Sequence, residues 1–265
     1  MTIKELIKQY SENEIIDIVT HVLGKNKTWV LVHADKKLSD QQLSKIRILI
    51  RQFKTGKPLA YLFGYKHFYG LKFKVTKDTL IPRPETELLV DQAALLIKNK
   101  SIKSVLDIGT GSGCIIISIA KSLPKGKYNF MGSDTSGKVL AIAKQNAKTH
   151  KVKIKFLKSY LLDETGENFD LIIANLPYLD ITWKNDSIKF EPKQALFAGK
   201  NGLALIERLL NQISEQKNKP KYMLLEFDPR QKQDLSKLIK KYLAGAETKF
   251  HRDYAGRFRL AIIKI

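Results

Sequence analysis

Cysteine is nearly absent from this sequence: Cys114 is the only one among 265 residues. A single cysteine excludes an intramolecular disulfide and any metal site built from several cysteines. It also fits a reducing compartment. We expect no metal site in this protein. No apolar run reaches the roughly 18 residues that a membrane-spanning helix requires. The first six residues also lack the charged-then-apolar pattern of a signal peptide. We therefore expect a cytoplasmic protein without membrane attachment.

Acidic residues are scarce as well: 26 stand against 47 basic residues, which gives a formal net charge of +21. Such a surface attracts polyanions, above all RNA. Only eight of the basic residues are arginine, however, and the lysines are spread evenly along the chain, as a compositional bias alone would leave them. Two interpretations stay open: a weak, non-specific attraction to RNA or the ribosome, or a charge without function.

The pattern of apolar residues changes twice along the chain. Apolar residues recur at helical spacing over 15–23 and 43–50, which predicts a small N-terminal helical domain over residues 1–66. An alternating stretch punctuated by glycine then predicts a hairpin-like connector over residues 67–81. The remainder, residues 82–265, is long enough to bury a full core and is expected to be the larger domain.

In the larger domain, predicted strands and helices alternate. Strands are predicted at 104–108, 128–133, 153–158, 169–174, 221–227, 247–251 and 257–263, and helices at 84–96, 113–121, 136–150, 203–213 and 231–242. The last two strands are joined by only a few residues, so they must be antiparallel. The sequence thus predicts an α/β fold with a doubly wound, mostly parallel seven-stranded sheet that ends in an antiparallel hairpin.

The first strand of this domain runs into a glycine loop, Gly109-Thr110-Gly111-Ser112-Gly113. Glycine lets the backbone turn sharply and approach a ligand closely. The dinucleotide-binding pattern needs a third small residue at the sixth place, where Cys114 stands, so that match fails. No Gly-Lys-Ser/Thr follows either, which excludes a phosphate-binding P-loop.

Two acidic residues accompany the loop. Asp107 lies two residues before Gly109, and Asp134 ends the second strand, where a carboxylate can accept both hydroxyls of a ribose. A glycine loop with an acidic residue that can bind a ribose, but without a phosphate-binding motif, indicates an adenosyl amino acid as ligand. This arrangement resembles the S-adenosylmethionine-binding motif of the Rossmann-like class I methyltransferases. Their sheets also end in an antiparallel hairpin.

The apolar run 169–174 ends in Asn175-Leu176-Pro177-Tyr178, here named the clamp segment. It resembles the Asn/Asp-Pro-Pro-Tyr motif of enzymes that methylate planar nitrogens. Such a nitrogen is a poor nucleophile because its lone pair is delocalised. The Asn175 side-chain oxygen and the carbonyl of Leu176 can accept both of its N–H hydrogens and favour a pyramidal geometry. The Tyr178 ring can stack on the substrate or face a sulfonium charge.

Asn175, Pro177 and Tyr178 are therefore candidate catalytic residues, and all four clamp residues are candidate substrate-binding residues. Leu176 replaces the commoner proline, although Pro177 still favours an extended Leu176. The same Asn-Leu-Pro-Tyr sequence occurs in rRNA adenine dimethyltransferases, so an rRNA adenine N6-methyltransferase is one alternative. A catalytically silent cofactor-binding module that docks on the translation apparatus is another.

Four further stretches, 56–64, 80–90, 190–192 and 252–256, resemble the bacterial N5-glutamine methyltransferases of peptide chain release factors, the HemK/PrmC family. The resemblance covers nearly the whole chain in the family's order. The helical domain also precedes the catalytic one, whereas in rRNA dimethylases an extra helical domain typically follows it.

The resemblance implies the substrate, the cofactor and the residues that bind them. The substrate is the glutamine of the Gly-Gly-Gln motif in class I release factors, which the helical domain (residues 1–66) recognises, and the enzyme is expected to be a monomer. The implied cofactor-binding residues are Asp107, Gly109, Thr110, Gly111, Ser112, Gly113, Asp134, Tyr160 and Asn175. Ser159 departs from the family, which often has an acid there that contacts the adenine amino group. We also expect Glu87 to help hold the methionine ammonium.

Overall fold

The computed structural model describes residues 1–10, 13–124, 126, 128–166, 168–183 and 188–265. The chain divides into two units, Met1–Tyr65 and Lys66–Ile265. None of the helices in these described ranges combines the length and the apolar character needed to cross a bilayer.

The smaller unit is helical. Its helices are α1 (Ile3–Tyr10), α2 (Asn13–Leu23), α3 (Lys27–Val32), α4 (Asp40–Lys54) and α5 (Leu59–Phe63). Helix α4 begins at a capping box in which the side chains of Ser39 and Gln42 each accept the backbone N–H of the other. The apolar faces of the helices meet in one buried cluster that includes Leu6, Ile18, Val30 and Ile46.

The alternating stretch after this unit forms a hairpin of β1 (Tyr65–Phe68) and β2 (Leu71–Lys74). Its two-residue turn has positive φ at both positions, Tyr69 (51°) and Gly70 (70°), as turns that match the strand twist require. Phe68 and Phe73 are buried in the core of the larger unit. The hairpin is thus packed into the larger unit by its apolar face.

The larger unit is built on a seven-stranded sheet in the order β5-β4-β3-β6-β7-β9-β8. Its strands are β3 (Ser104–Ile108), β4 (Asn129–Asp134), β5 (Lys155–Lys158), β6 (Leu171–Ala174), β7 (Tyr222–Glu226), β8 (Glu247–Arg252) and β9 (Phe258–Lys264). Its helices are α6 (Glu87–Asn99), α7 (Cys114–Ser122), α8 (Gly137–Thr149), α9 (Ala204–Glu215) and α10 (Lys232–Tyr242). The pairs from β5 to β7 are parallel, and β9 is antiparallel to both β7 and β8. The predicted fold class is confirmed.

Both faces of the sheet are covered, which explains why the central strands β3, β6 and β7 are mainly apolar in sequence. In β6, Leu171 and Ile173 join the core under α6 and α7, whereas Ile172 joins the opposite core under α9 and α10. The chain builds the sheet outward from β3 to β5 and then returns to place β6 on the other side of β3. Ligands of open α/β sheets bind at the carboxyl ends of the strands where the order reverses in this way.

Candidate active site

The glycine loop leaves β3 at this reversal point. Gly109, Gly111 and Gly113 have φ angles of 69°, 57° and 80°, which glycine adopts without strain. A Cβ at Gly113 would lie 2.9 Å from Cδ1 of Ile117 and 3.3 Å from Cβ of Ala143. The last glycine therefore allows the loop to pack closely against α7 and α8.

Asp134, at the end of β4, faces this loop. Its Oδ2 accepts the backbone N–H of Gly111 at 3.1 Å, and its Oδ1 accepts that of Ser136 at 3.0 Å. Burial raises the pKa of this carboxyl group above its ordinary value, although the N–H donors oppose the rise. Each carboxylate oxygen has a second lone pair, so the group can still accept hydrogen bonds from a ligand.

Asp107 lies beneath the loop and is fully buried. Its Oδ2 accepts the Thr110 hydroxyl at 2.6 Å, whereas its Oδ1 has no hydrogen-bond partner among the described residues. Burial raises the pKa of Asp107 to about 7, and the nearby charge of Asp134 adds to the rise. An unpartnered buried carboxylate oxygen is unfavourable, and a positively charged ligand group would stabilise it.

A cavity of about 260 Å³ opens beside the loop, near the lower end of the range of about 300–1,000 Å³ for small-molecule sites. Of the predicted cofactor-binding residues, Gly109, Gly111, Asp134, Tyr160 and Asn175 line it. Asp107, Thr110 and Ser112 are buried instead, and Gly113 is the packing glycine of the loop.

Tyr160 lies at the rim of this cavity and is 39% exposed. Its ring is covered on one side by the guanidinium of Arg208, 4.4 Å from the ring centroid, and Arg208 pairs with Asp163 at 3.5 Å. The cation holds the ring in place, so that the ring presents a flat apolar surface to the cavity.

Ser159 also lines the cavity, but its hydroxyl is engaged within the protein. It donates to the carbonyl of Leu161 at 3.1 Å and accepts the backbone N–H of Glu164 at 3.1 Å. Only one lone pair is left for a ligand, so Ser159 is a weaker acceptor than the acid often found in the family.

The clamp segment follows β6 and lies next to the glycine loop, since Leu176 is the nearest contact of a Cβ built on Gly109, at 3.2 Å. The Nδ2 of Asn175 donates to the Thr86 hydroxyl at 3.2 Å. Because Nδ2 is engaged, Oδ1 is the amide atom of Asn175 that remains to accept a hydrogen bond. Asn175, Leu176 and Pro177 line both the cavity beside the loop and a second cavity.

Tyr178 faces only the second of these cavities. Its hydroxyl donates to Oε1 of Glu226 at 3.1 Å. Burial raises the pKa of Tyr178 far above its ordinary value, and the charge of Glu226 adds to the rise. The hydroxyl is thus tied toward the core, so the ring is the part of Tyr178 that is available to a substrate.

Two residues from distant parts of the chain support the backbone of the clamp segment. The Nε2 of Gln231 donates to the carbonyls of Tyr178 at 2.8 Å and Asn201 at 2.7 Å. Gly202 has a φ of 66°, and a Cβ there would overlap the Tyr178 carbonyl oxygen and lie 2.6 Å from Nε2 of Gln231. The end of the clamp segment is therefore packed against backbone that only glycine can supply.

An ion pair lies at Arg83, one of the residues of the second cavity. The buried carboxylate of Glu191 pairs with the guanidinium of Arg83 and accepts the backbone N–H of Ile81 at 3.1 Å. Glu191 thus fixes the segment around Arg83 against the loop that follows the clamp segment.

Sequence reasoning did not assign roles to Thr86, Glu226 and Gln231, although all three contact the clamp segment or its supports. A signal was present for Glu226, which ends an apolar strand as Asp134 does. Glu87 is not among the residues that line the cavity beside the loop, and its carboxylate accepts the backbone N–H of Tyr69 at 2.7 Å. Its expected contact with the methionine ammonium stays a prediction.

Two families of known proteins match parts of this chain. Residues 99–254 match the family described as "Methyltransferase domain", and residues 4–64 match the one described as "PrmC N-terminal domain". The ribosomal protein L11 methylase of Lactobacillus delbrueckii subsp. bulgaricus has a similar structure, with a TM-score of 0.51 at 21% identity over 69% of this chain and 80% of that one. A human methyltransferase 10 domain containing protein gives 0.54 at 16% identity, over 74% and 90%. These structures show a Rossmann-like fold. Because the methyltransferase domain covers more than half of the chain, the protein is a Rossmann-like methyltransferase.

Proteins with similar sequences indicate a narrower family than the similar structures do. The release factor glutamine methyltransferase of Buchnera aphidicola subsp. Baizongia pistaciae is 32% identical over 263 residues, which cover 97% of this chain and 94% of the relative. That of Mycoplasma mycoides subsp. mycoides is 34% identical over 260 residues, covering 95% and 92%. The chain belongs to the release factor glutamine methyltransferase family. The rRNA adenine methyltransferase and the silent module are not favoured by these matches, and attraction to RNA and the oligomeric state stay predictions.

Proposed function

We propose that this enzyme transfers a methyl group from S-adenosylmethionine to the side-chain amide nitrogen (N5) of the glutamine in the Gly-Gly-Gln motif of class I peptide chain release factors. One observation carries the proposal: Asn175 has its Nδ2 engaged with Thr86 and leaves its amide oxygen as an acceptor where two cavities meet. An acceptor at that point suits a substrate that brings an NH₂ group. The relatives named for glutamine methylation support the same substrate here.

The cavity beside the glycine loop fits S-adenosylmethionine. Asp134 has lone pairs for the ribose hydroxyls, and the unpartnered buried oxygen of Asp107 favours a ligand with positive charge. The exposed ring of Tyr160 offers a surface for the adenine. None of the described residues that line this cavity is a lysine or arginine, in keeping with a ligand that has no phosphate. When bound, the cofactor supplies a methyl group on a sulfonium, which makes that methyl electrophilic.

The clamp segment would hold the glutamine amide through its two hydrogens. Oδ1 of Asn175 and the carbonyl oxygen of Leu176 accept them, which fixes the nitrogen and favours a pyramidal geometry with a localised lone pair. The Tyr178 ring packs beside the planar amide, because its hydroxyl is anchored on Glu226. The nitrogen loses a proton only after the methyl group has been transferred, so no general base is needed before attack.

The helical unit would recognise the release factor, in agreement with its match to the N-terminal domain of the family. We infer that the enzyme acts in the cytoplasm as a monomer. The substrate belongs to translation, and the only cysteine of the chain is buried at the start of α7, in keeping with a reducing compartment.

A transfer assay tests the proposed function. We expect label from methyl-labelled S-adenosylmethionine to appear on a purified class I release factor at its Gly-Gly-Gln glutamine, with none on rRNA. The matched control is the same release factor with the glutamine replaced by alanine, which should receive no label. Label on that variant, or on rRNA alone, would contradict the proposal.

Cofactor affinity should depend on pH through Asp107. Its pKa is raised to about 7 in the free protein, and a positively charged ligand favours the ionised form. Binding must therefore displace a proton at low pH, and affinity is lost as the pH falls through 7. For one linked proton we expect the Kd to rise about fivefold from pH 7 to pH 6, as measured by equilibrium dialysis with labelled cofactor.

The control is Asp107→Asn, which removes the titrating group and keeps an acceptor oxygen for Thr110. This variant should bind more weakly at pH 8 and should lose most of the pH dependence. An unchanged pH profile in Asp107→Asn would show that another group controls binding.

A further inference from the structure

A glutamine amide has two polar ends, and the clamp segment meets only one of them. In the proposed function, Oδ1 of Asn175 and the carbonyl oxygen of Leu176 accept the two N–H hydrogens. The carbonyl oxygen of the amide is an acceptor, and outside the enzyme it is hydrogen-bonded to water. Burying it without a donor is unfavourable. A site that holds the whole amide therefore needs a donor as well.

The second cavity, about 230 Å³ in volume, contains few side-chain donors. Among the described residues that line it, only Arg83, Asn175 and Tyr178 have a side-chain N–H or hydroxyl group. The Nδ2 of Asn175 faces the Thr86 hydroxyl, so the amide oxygen of Asn175 is the end left for a ligand. The Tyr178 hydroxyl donates to Glu226. Of these three side chains, Arg83 is the one with N–H groups left for a ligand.

Backbone and side chain both restrict Arg83. It stands between Pro82 and Pro84, and its backbone is extended (φ −100°, ψ 144°), as expected of a residue before proline. Its Nη2 donates to Oε1 of Glu191, whose side chain is only 1% exposed. The other N–H groups of this planar fork have no hydrogen-bond partner among the described residues, and the Arg83 side chain is 32% exposed. The structure thus holds a donor group in place and leaves part of it open.

The charge of Arg83 does not make the second cavity cationic. Glu191 compensates this charge, and the carboxylate of Glu85 lines the same cavity. An anionic ligand, such as a phosphate or a carboxylate, would meet the charge of Glu85 as well as that of Arg83. A neutral amide is therefore better suited to this cavity than an anion.

We propose that Arg83 is a further substrate-binding residue, which donates a hydrogen bond to the side-chain carbonyl oxygen of the glutamine. With acceptors at Asn175 and Leu176 and a donor at Arg83, the amide binds in one orientation only, with its nitrogen at the clamp segment. The inference rests on the proposed function, because it assigns the second polar end of the same glutamine amide. It adds a specificity-determining residue from the segment that precedes α6.

A double-mutant cycle tests the inference on the full-length enzyme saturated with S-adenosylhomocysteine, the demethylated cofactor, so that no turnover occurs. The Kd of a purified release factor is measured by isothermal titration calorimetry for the wild type and for Arg83→Met, which keeps an apolar stem. Arg83→Met should raise this Kd about tenfold, since a charged donor to the amide is lost. With the release factor whose glutamine is replaced by alanine, the same substitution should change the Kd by less than about twofold, because no amide oxygen is present.

The controls address the ion pair, because Arg83→Met leaves the buried Glu191 without its partner. The cycle is therefore repeated with Arg83→Met and Glu191→Gln combined, where neither charge remains. Glu191→Gln alone keeps Arg83 and an acceptor for the N–H of Ile81, so it should distinguish the two release factors as the wild type does. Equal losses for both release factors in Arg83→Met and in the combined variant would overturn the inference. Failure of the proposed function would look different, because the wild type would then not label the release factor at all.

Discussion

Asn175→Ala is expected to lower kcat for methyl transfer to the release factor by about 10²–10³-fold, as the loss of one preorganised polar contact at a reaction centre does in other enzymes. The alanine removes the amide oxygen that accepts one N–H of the glutamine. The glutamine nitrogen would then keep its planar, delocalised form and its freedom to rotate. A second acceptor, the carbonyl of Leu176, remains but cannot fix the nitrogen alone.

Cofactor binding should be largely preserved in this variant. Asn175 is one of several residues that line the cavity, and Asp107, Asp134 and the glycine loop do not depend on its side chain for their hydrogen bonds. We expect the cofactor Kd to stay within about threefold of the wild type, since the loss is that of one neutral contact. Single-turnover assays with labelled cofactor and equilibrium dialysis measure the two quantities separately.

Asn175→Asp is the matched control, because it keeps an acceptor at the same place. The carboxylate can accept the Thr86 hydroxyl and a substrate N–H, although its charge adds to that of the buried Glu226. It should therefore keep more activity than alanine and less than the wild type. Full turnover in Asn175→Ala would refute the role of this side chain in the clamp.

Most of the fold could be predicted because its signals are local. The central strands β3, β6 and β7 are buried on both faces, so they appear in the sequence as short apolar runs, and the predicted strand at 104–108 has the observed bounds. The glycine loop was found in the same way, since a strand, a turn and a helix follow one another within a dozen residues. Some predicted strand ends differ from the observed ones by one or two residues. At β6, for example, the buried Phe169 continues the apolar run before the hydrogen-bonded strand begins at Leu171.

The supporting contacts of the site could not be predicted, because they join residues far apart in sequence. Thr86 and Asn175 are separated by 89 positions, Tyr178 and Glu226 by 48, and Tyr178 and Gln231 by 53. A threonine or glutamine on a helical turn has no sequence signal that distinguishes a support from a surface residue. The sheet order brings the ends of β6 and β7 side by side, and so makes Tyr178 a neighbour of Glu226 and Gln231.

For Ser159, the sequence gives the position in the motif but not the hydrogen-bond partners of the hydroxyl. The sequence places it where the family often has an acid, and this predicts a weaker contact with the cofactor. The structure supplies the physical reason, because the hydroxyl is already shared between Leu161 and Glu164 within its own turn. A position in a motif therefore indicates the location of a group, while its free hydrogen-bonding capacity depends on its neighbours.

Gly202→Ala is expected to destabilise the protein and to reduce methyl transfer, although residue 202 lines neither cavity. A Cβ there would overlap the carbonyl oxygen of Tyr178 and approach Nε2 of Gln231, so backbone must move on one side or the other. The positive φ of 66° adds strain for any residue other than glycine. The combined cost is about 2–4 kcal/mol, the range of severe single substitutions.

For a domain of this size, such a loss lowers the Tm by roughly 5–15 °C. Activity should fall as well, because the hydrogen bond from Gln231 to Tyr178 fixes the end of the clamp segment. Gly166→Ala is the matched control: Gly166 has a similar φ of 59°, and a Cβ there would meet none of the described residues within 4 Å. It carries the strain without the overlap, so it should lower the Tm by only about 2–4 °C and retain turnover. If both variants melted at the same temperature and turned over equally, the close packing of Gly202 against Tyr178 would not be what holds the clamp segment in place.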